Sequence, residues 1–153
     1  MKKRKGLLKI FMLLVLSATF IACGSESSVT YENATEISLS DDGVKVGGEA
    51  ASENTEDAVY VANDIVFYPE GQDFTYGEGT EADAHSKEEA DAHKVVHITK
   101  PGTYVLTGAL SAGQIAVDLG EDAKTDPEAV VTLVLNNVDI SCSVAPAVIF
   151  YKM

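Results

Sequence analysis

The sequence predicts an all-β protein, on three observations. The apolar residues fall in short runs rich in Val, Ile, Thr and Tyr, such as Val130-Val131-Thr132-Leu133-Val134-Leu135. Gly, Asn, Asp or Pro separates these runs, and no long amphipathic helical pattern stands between them. Without crossover helices an α/β sheet is excluded, and a sandwich, a barrel or a β-helix remains.

The elements follow in order. Thr35-Glu36-Ile37-Ser38-Leu39-Ser40 alternates polar and apolar, as a half-buried strand does. Asp41-Asp42-Gly43 marks a turn and Val44-Lys45-Val46 alternates again, a small hairpin, while Glu49 to Asp57 reads as linker. Ala58 to Ala62 and Asp64 to Tyr68 are two more strands, ended by Pro69-Glu70-Gly71. From Gln72 to Lys94 the chain is polar and acidic, a loop with a short helix. It repeats Glu81-Ala82-Asp83-Ala84-His85 as Glu89-Ala90-Asp91-Ala92-His93. Strands are then expected at Val95–Thr99, Thr103–Gly108, Gln114–Asp118, Val130–Leu135 and Ala147–Tyr151. Lys100-Pro101-Gly102 makes the turn before the second of these. A stacked solenoid needs about three repeats to bury its core, and residues 95–153 supply about two rungs. The expectation is the N-terminal part of a longer protein, with an uncovered rung edge and poor stability alone. A complete small sandwich is the competing expectation.

The N-terminus has a separate purpose. Lys2, Lys3, Arg4, Lys5 and Lys9 precede an apolar stretch from Ile10 to Ala22, the order of a secretory signal. The stretch is shorter than the roughly 20 residues of a membrane span. Phe20-Ile21-Ala22-Cys23-Gly24 resembles the lipobox of bacterial lipoproteins, with Phe20 in place of the more usual Leu. The resemblance implies diacylglycerol on the Cys23 sulfur and cleavage after Ala22. An ordinary secretory signal with an incidental cysteine is the plainer alternative. Polar Gly24-Ser25-Glu26-Ser27-Ser28 suits a flexible tether. The expected organisation is a signal peptide at 1–22, a lipid-anchored linker with a short hairpin at 23–57 and a β-domain at 58–153. The expected location is the outer face of the cell membrane, held by lipid.

Charge bounds the partners. Five of the 11 basic residues lie in residues 1–22 and all 24 acids lie beyond, leaving 6 basic residues against 24 acids, a net −18. Nucleic acid and anionic lipid are repelled by such a chain. Cations are its natural partners, calcium first outside the cell. Asp118, Glu121, Asp122 and Asp126 concentrate carboxylates around one turn and are the candidate calcium ligands, although their spacing is not that of an EF-hand. A solvated acidic loop accounts for the same residues. His85 and His93 with nearby acids suit zinc in type, but a polar repeat is a poor cage and an exposed loop is favoured. Tyr60, Phe67, Tyr68, Phe74 and Tyr76 form the densest aromatic group; packing is favoured over sugar stacking, since Trp is absent. Cys142, left single once Cys23 is lipidated, reads as a small core residue. Asn33-Ala34-Thr35 fits a glycosylation triplet by chance.

Three segments then carry a resemblance. Ile98-Thr99-Lys100-Pro101-Gly102-Thr103-Tyr104-Val105-Leu106-Thr107-Gly108, Gly113-Gln114-Ile115-Ala116-Val117-Asp118 and Leu133-Val134-Leu135-Asn136-Asn137-Val138-Asp139-Ile140 resemble, in order, the carbohydrate-binding domain of clostridial cell-surface proteins. Residues 24–94 match it only loosely. The resemblance implies a right-handed parallel β-helix, polysaccharide as partner (pectin-type polyuronate or cellulose-like) and bound calcium. It implies that Asn136 and Asn137 sit at a strand end, where asparagines form ladders between rungs. Calcium bridging protein acids to uronate carboxylates would reconcile an acidic protein with an acidic sugar. The expected function is a non-enzymatic binding module. A polysaccharide lyase of β-helix type is one alternative, and an adhesin or surface spacer is another. Beyond Cys23 the chain has no arginine, and none of Lys45, Lys87, Lys94, Lys100, Lys124 and Lys152 stands in a recognisable catalytic setting.

Overall fold

The computed structural model describes residues 31–67, 75–77 and 86–153. Among the described residues the chain is mostly β, as expected, with one short α-helix. Two sheets hold most of the strands. The first contains β1 (Thr35–Leu39), β2 (Lys45–Val46), β3 (Glu49–Ala50), β8 (Gly102–Leu110) and β10 (Val131–Ile140), in the order β10-β8-β1-β2-β3. The second contains β4 (Val59–Ala62), β7 (Lys94–Ile98), β9 (Gly113–Asp118) and β11 (Val148–Lys152), in the order β11-β9-β7-β4. A small third sheet pairs β5 (Ile65–Phe67) with β6 (Thr75–Gly77), and α1 spans Lys87–Asp91. From β7 onward the chain alternates between the two main sheets. Each new strand pairs in parallel with the strand two before it: β9 on β7, β10 on β8, β11 on β9. β1 lies parallel beneath β8, and the antiparallel strands β2, β3 and β4 finish that end.

The core follows from period-two alternation in stacked strands. Ile37, Leu39, Tyr104, Leu106 and Leu110 from the first sheet meet Val59, Val96, Ile98, Ile115 and Val117 from the second. The register sets like on like: Ile37 beside Leu106, Val96 beside Ile115, Ile98 beside Val117. A one-residue slip would turn each of these outward, so the buried face fixes the pairing. Each such side chain contributes about 1.5–3 kcal/mol on burial. β7 and β9 carry few polar residues because the second sheet is covered on both faces. Ile65, Val66, Phe67, Ala90, Val95, Ala116 and Ile149 form a second apolar cluster on its outer face.

Two expectations are corrected. The linker expected up to residue 57 ends earlier, because residues 31–153 form one compact unit. The expected hairpin forms, but β1 buries Ile37 and Leu39 in the main core, β3 pairs with β2, and Ser52 bridges to Tyr60. Asn136 and Asn137 do not end a strand. They form a bulge inside β10, between Leu135 and Val138, with Asn137 at φ 54°. Asn tolerates this left-handed conformation better than most residues, so the ladder continues beyond the bulge.

α1 starts from a capping box. The Ser86 hydroxyl accepts from the Glu89 N–H at 3.2 Å, and the Glu89 carboxylate accepts from the Ser86 N–H at 2.9 Å. A short helix, expected within Gln72 to Lys94, is therefore present and falls on the second repeat copy. The first copy, with His85, lies outside the described residues.

Candidate functional site

The turn between β1 and β2 borders two concavities. One, of about 540 Å³, is lined by Ser38, Ser40, Asp42, Gly43, Val44, Lys45 and Ala50. Strand pairing explains its lining. Ser38 points to the outer face of its sheet, opposite Lys45 on one side and Thr107 on the other. The Ser40 hydroxyl accepts from the Asp42 N–H at 3.2 Å and shapes the turn. The second, of about 150 Å³, is lined by Asp41, Ala109, Leu110, Ser111, Asp139 and Ser141. Here the register sets Asp139 beside Ala109, and Leu110 accepts from the Ser141 N–H.

Asp41 joins the turn to the stacked strands. Its Oδ1 accepts from the Ser111 N–H at 2.8 Å, and the Lys94 ammonium donates to its carbonyl oxygen. The hydrogen bonds from Ser111, with the charge of Lys94 adding, hold the Asp41 carboxyl below the usual carboxylate range. This group is ionised at neutral pH and serves as an acceptor. The two concavities together present two hydroxyls, an ammonium and a carboxylate on one side, and two carboxylates and two hydroxyls on the other. That inventory pairs with sugar hydroxyls, with Lys45 as a counter-charge for a carboxylate. Nothing in the sequence signals the cluster, since residues 41, 111 and 139 meet only through strand stacking.

Behind the second sheet the polar groups have a holding role. Fully buried Gln114 accepts from the Val66 N–H at 2.9 Å and donates to the carbonyls of Val66 at 2.7 Å and Pro146 at 2.8 Å. Asn63 donates to the carbonyls of Asp91 at 2.9 Å and His93 at 2.7 Å. His97, also fully buried, meets Asp64 through Nε2 at 2.7 Å and stacks on Tyr60 at 4.4 Å between ring centroids. Its Nδ1 has no hydrogen-bond partner. These contacts fasten residues 63–67 across the outer face of the second sheet.

The acids expected to bind calcium take separate tasks. The Asp118 carboxylate accepts from the Gly120 N–H at 2.8 Å, and that of Asp126 from the Glu128 N–H at 2.9 Å. Glu121 and Asp122 open a 3₁₀ turn over Glu121–Thr125. Among the described residues no three His, Cys, Asp or Glu side chains converge as a metal cage. His93 is buried. Its Nδ1 donates to the Glu89 carbonyl at 2.6 Å, which leaves Nε2 to accept from Ser143 at 3.4 Å. Phe67 is buried and Tyr60 half-buried against His97, so both pack within the fold. Tyr68 and Phe74 lie outside the described residues, as do Ala22 and Cys23. Cys142 packs against the second apolar cluster, as a small core residue does. Among the described residues no helix is long and apolar enough to cross a membrane.

Fold and concavities together define an all-β domain that presents hydroxyls and carboxylates from stacked strands. Residues 92–153 match the model of a family described as carbohydrate-binding domain-containing protein. The match covers less than half of the chain and includes β7 to β11, with Ser111, Asp139 and Ser141 of the smaller concavity. It supports a carbohydrate-binding domain with a carbohydrate partner. No curated protein and no solved structure matches the chain.

Proposed function

We propose that this chain is a lipid-anchored surface protein whose β-domain binds polysaccharide at the concavities beside the Asp41-Asp42 turn. The family match over residues 92–153 carries the sugar reading. We read the fold as the beginning of a right-handed parallel β-helix. Two features support it: strands β7 to β11 alternate between two sheets in parallel pairing, and parallel crossovers are overwhelmingly right-handed. The signal-like order of residues 1–22 and the lipobox-like run before Cys23 support a position outside the cell, with the lipid as membrane contact.

Polyuronate of the pectin type is the first ligand in this reading, with cellulose-like chains second. Calcium acts in it as a bridge between the acidic loop of Asp118, Glu121, Asp122 and Asp126 and the uronate carboxylates. A cage built from the protein alone is not proposed, since among the described residues no three acids converge. The reading is of a binding module and not of a lyase, in keeping with the family match.

A glycan array probed with and without calcium tests the proposal. Retention on polyuronate, lost on chelation with EDTA, is the expected result. Binding to no glycan would remove the sugar reading, and growth of unsaturated-product absorbance on pectate would replace it with the lyase. Lipid labelling of the chain, abolished by Cys23→Ala, is the expected result for the anchor.

A further inference from the structure

We propose that Ser143 and His93 form a nucleophile–base pair that hydrolyses short-chain carboxylic esters, apart from the two concavities. The form of the imidazole is the first reason. Nδ1 of His93 lies 2.6 Å from the Glu89 carbonyl oxygen, which can only accept, so Nδ1 carries a proton. Nε2 faces the Ser143 N–H, which can only donate, so Nε2 is bare. The Ser143 hydroxyl lies beside the same nitrogen, also at 3.4 Å. A base that takes the proton of a serine needs this tautomer, with its other nitrogen tied to an acceptor. Such contacts are often longer without substrate than with it.

Both partners are held in place. His93 is 3% exposed, its N–H donates to the Ala90 carbonyl at 3.1 Å, and its carbonyl accepts from Asn63 at 2.7 Å. The serine loop is fastened on either side of Ser143. The Ser141 carbonyl accepts from the Gly113 N–H at 2.8 Å, and the Pro146 carbonyl accepts from Gln114 at 2.8 Å. Ser143 itself is exposed, so a substrate reaches the hydroxyl while the base stays buried behind it. His93 precedes β7 and Ser143 precedes β11, with β9 between those strands in the sheet. The Ser143 hydroxyl therefore reaches back along the flank of the stack. A strand added beyond β11 would lie on the side of β11 away from this contact.

The chemistry follows from the two groups. Ser143 Oγ attacks the ester carbonyl carbon as its proton passes to His93 Nε2. The tetrahedral adduct collapses, the carbon–alkoxy bond breaks, and the leaving alcohol takes the proton from Nε2. Water then attacks the Ser143 ester, gives a proton to Nε2 and releases the carboxylic acid, and the proton returns to Oγ. The balance is ester and water to acid and alcohol. Val144 and Ala145 follow the serine and pack partly buried against the second apolar cluster. Their small apolar side chains suit a short acyl group such as acetyl. This chemistry does not depend on the sugar reading.

Release of p-nitrophenol from p-nitrophenyl acetate by the full chain in detergent tests the inference. The wild type is expected to exceed Ser143→Ala by about 100-fold or more, the scale of a general base acting on a positioned nucleophile. His93→Gln is expected to fall to the level of Ser143→Ala. Because Ser143 is exposed, Ser143→Ala should keep the wild-type melting temperature, so its rate is read on a folded protein. Diethyl p-nitrophenyl phosphate should phosphorylate Ser143 in the wild type, read by peptide mass, and should not label that peptide in His93→Gln. A wild-type rate close to that of Ser143→Ala, or a phosphoryl label on another residue in place of Ser143, would overturn the proposal and leave the pair a fastening for the loop.

Discussion

His97 and Asp64, 33 positions apart, meet at 2.7 Å between Nε2 and Oδ1, on the outer face of the second sheet. With the Asp64 carboxylate as acceptor Nε2 donates, and Nδ1 is the ring nitrogen without a partner. The pair leaves the imidazole with one satisfied position inside the protein. Asp64→Ala removes it and is expected to cost about 1–3 kcal/mol, the penalty of stranding a buried donor. Combining it with His97→Leu should cost less than the two single changes summed, because no stranded group remains. Urea unfolding of the four proteins in the cycle measures the coupling.

Gln114 is the corresponding clamp on β5. It occupies both backbone groups of Val66 and the carbonyl of Pro146. Gln114→Leu keeps the volume but strands these groups in an apolar setting, an expected loss of about 3 kcal/mol. Hydrogen exchange separates this from a general loosening. The Val66 amide should lose protection in far larger proportion than the amides of Ile115 and Leu106.

Gly108 is held by a close approach between rungs. A Cβ at this position would lie 2.3 Å from the carbonyl oxygen of Leu39, and φ is +90°. Gly108→Ala therefore strains the backbone and pushes β1 away from β8. The expected loss is about 2–4 kcal/mol, read as a lower melting temperature. Gly47, also at positive φ but in open space, is the control. Gly47→Ala should cost only its local backbone term of about 1–2 kcal/mol.

Local pattern carried the strands into view, because alternation and turn residues are read within a few positions of one another. β1, β8 and β9 lie where their apolar periodicity puts them. The contribution of β1 to the main core was not legible, since its partner β8 lies about 70 positions later and only stacking brings them together. The same reason hides the site. Asp41 and Asp139 share a concavity across nearly 100 residues of chain, and each alone reads as a turn or strand polar residue. The acidic loop shows the opposite relation. Its carboxylates are close in sequence, yet Asp118 and Asp126 each turn to a backbone N–H two residues ahead.

Tyr104 ties alkaline stability to the first turn of the stack. Its ring is buried in the main core, and its hydroxyl donates to the Lys100 carbonyl at 2.8 Å. Burial disfavours the phenolate and raises the group above its ordinary value. A phenol raised in the folded state contributes stability that is fully present below its unfolded pKa of about 10 and is lost as pH rises through the folded value. Wild-type melting temperature should therefore fall from about pH 10 upward as the unfolded chain gives up this proton first. Tyr104→Phe should start lower by about 1 kcal/mol at neutral pH, the worth of one hydrogen bond. Its curve should be flatter above pH 10, so that the two proteins converge. Parallel curves across that range would show that another group governs the alkaline limb.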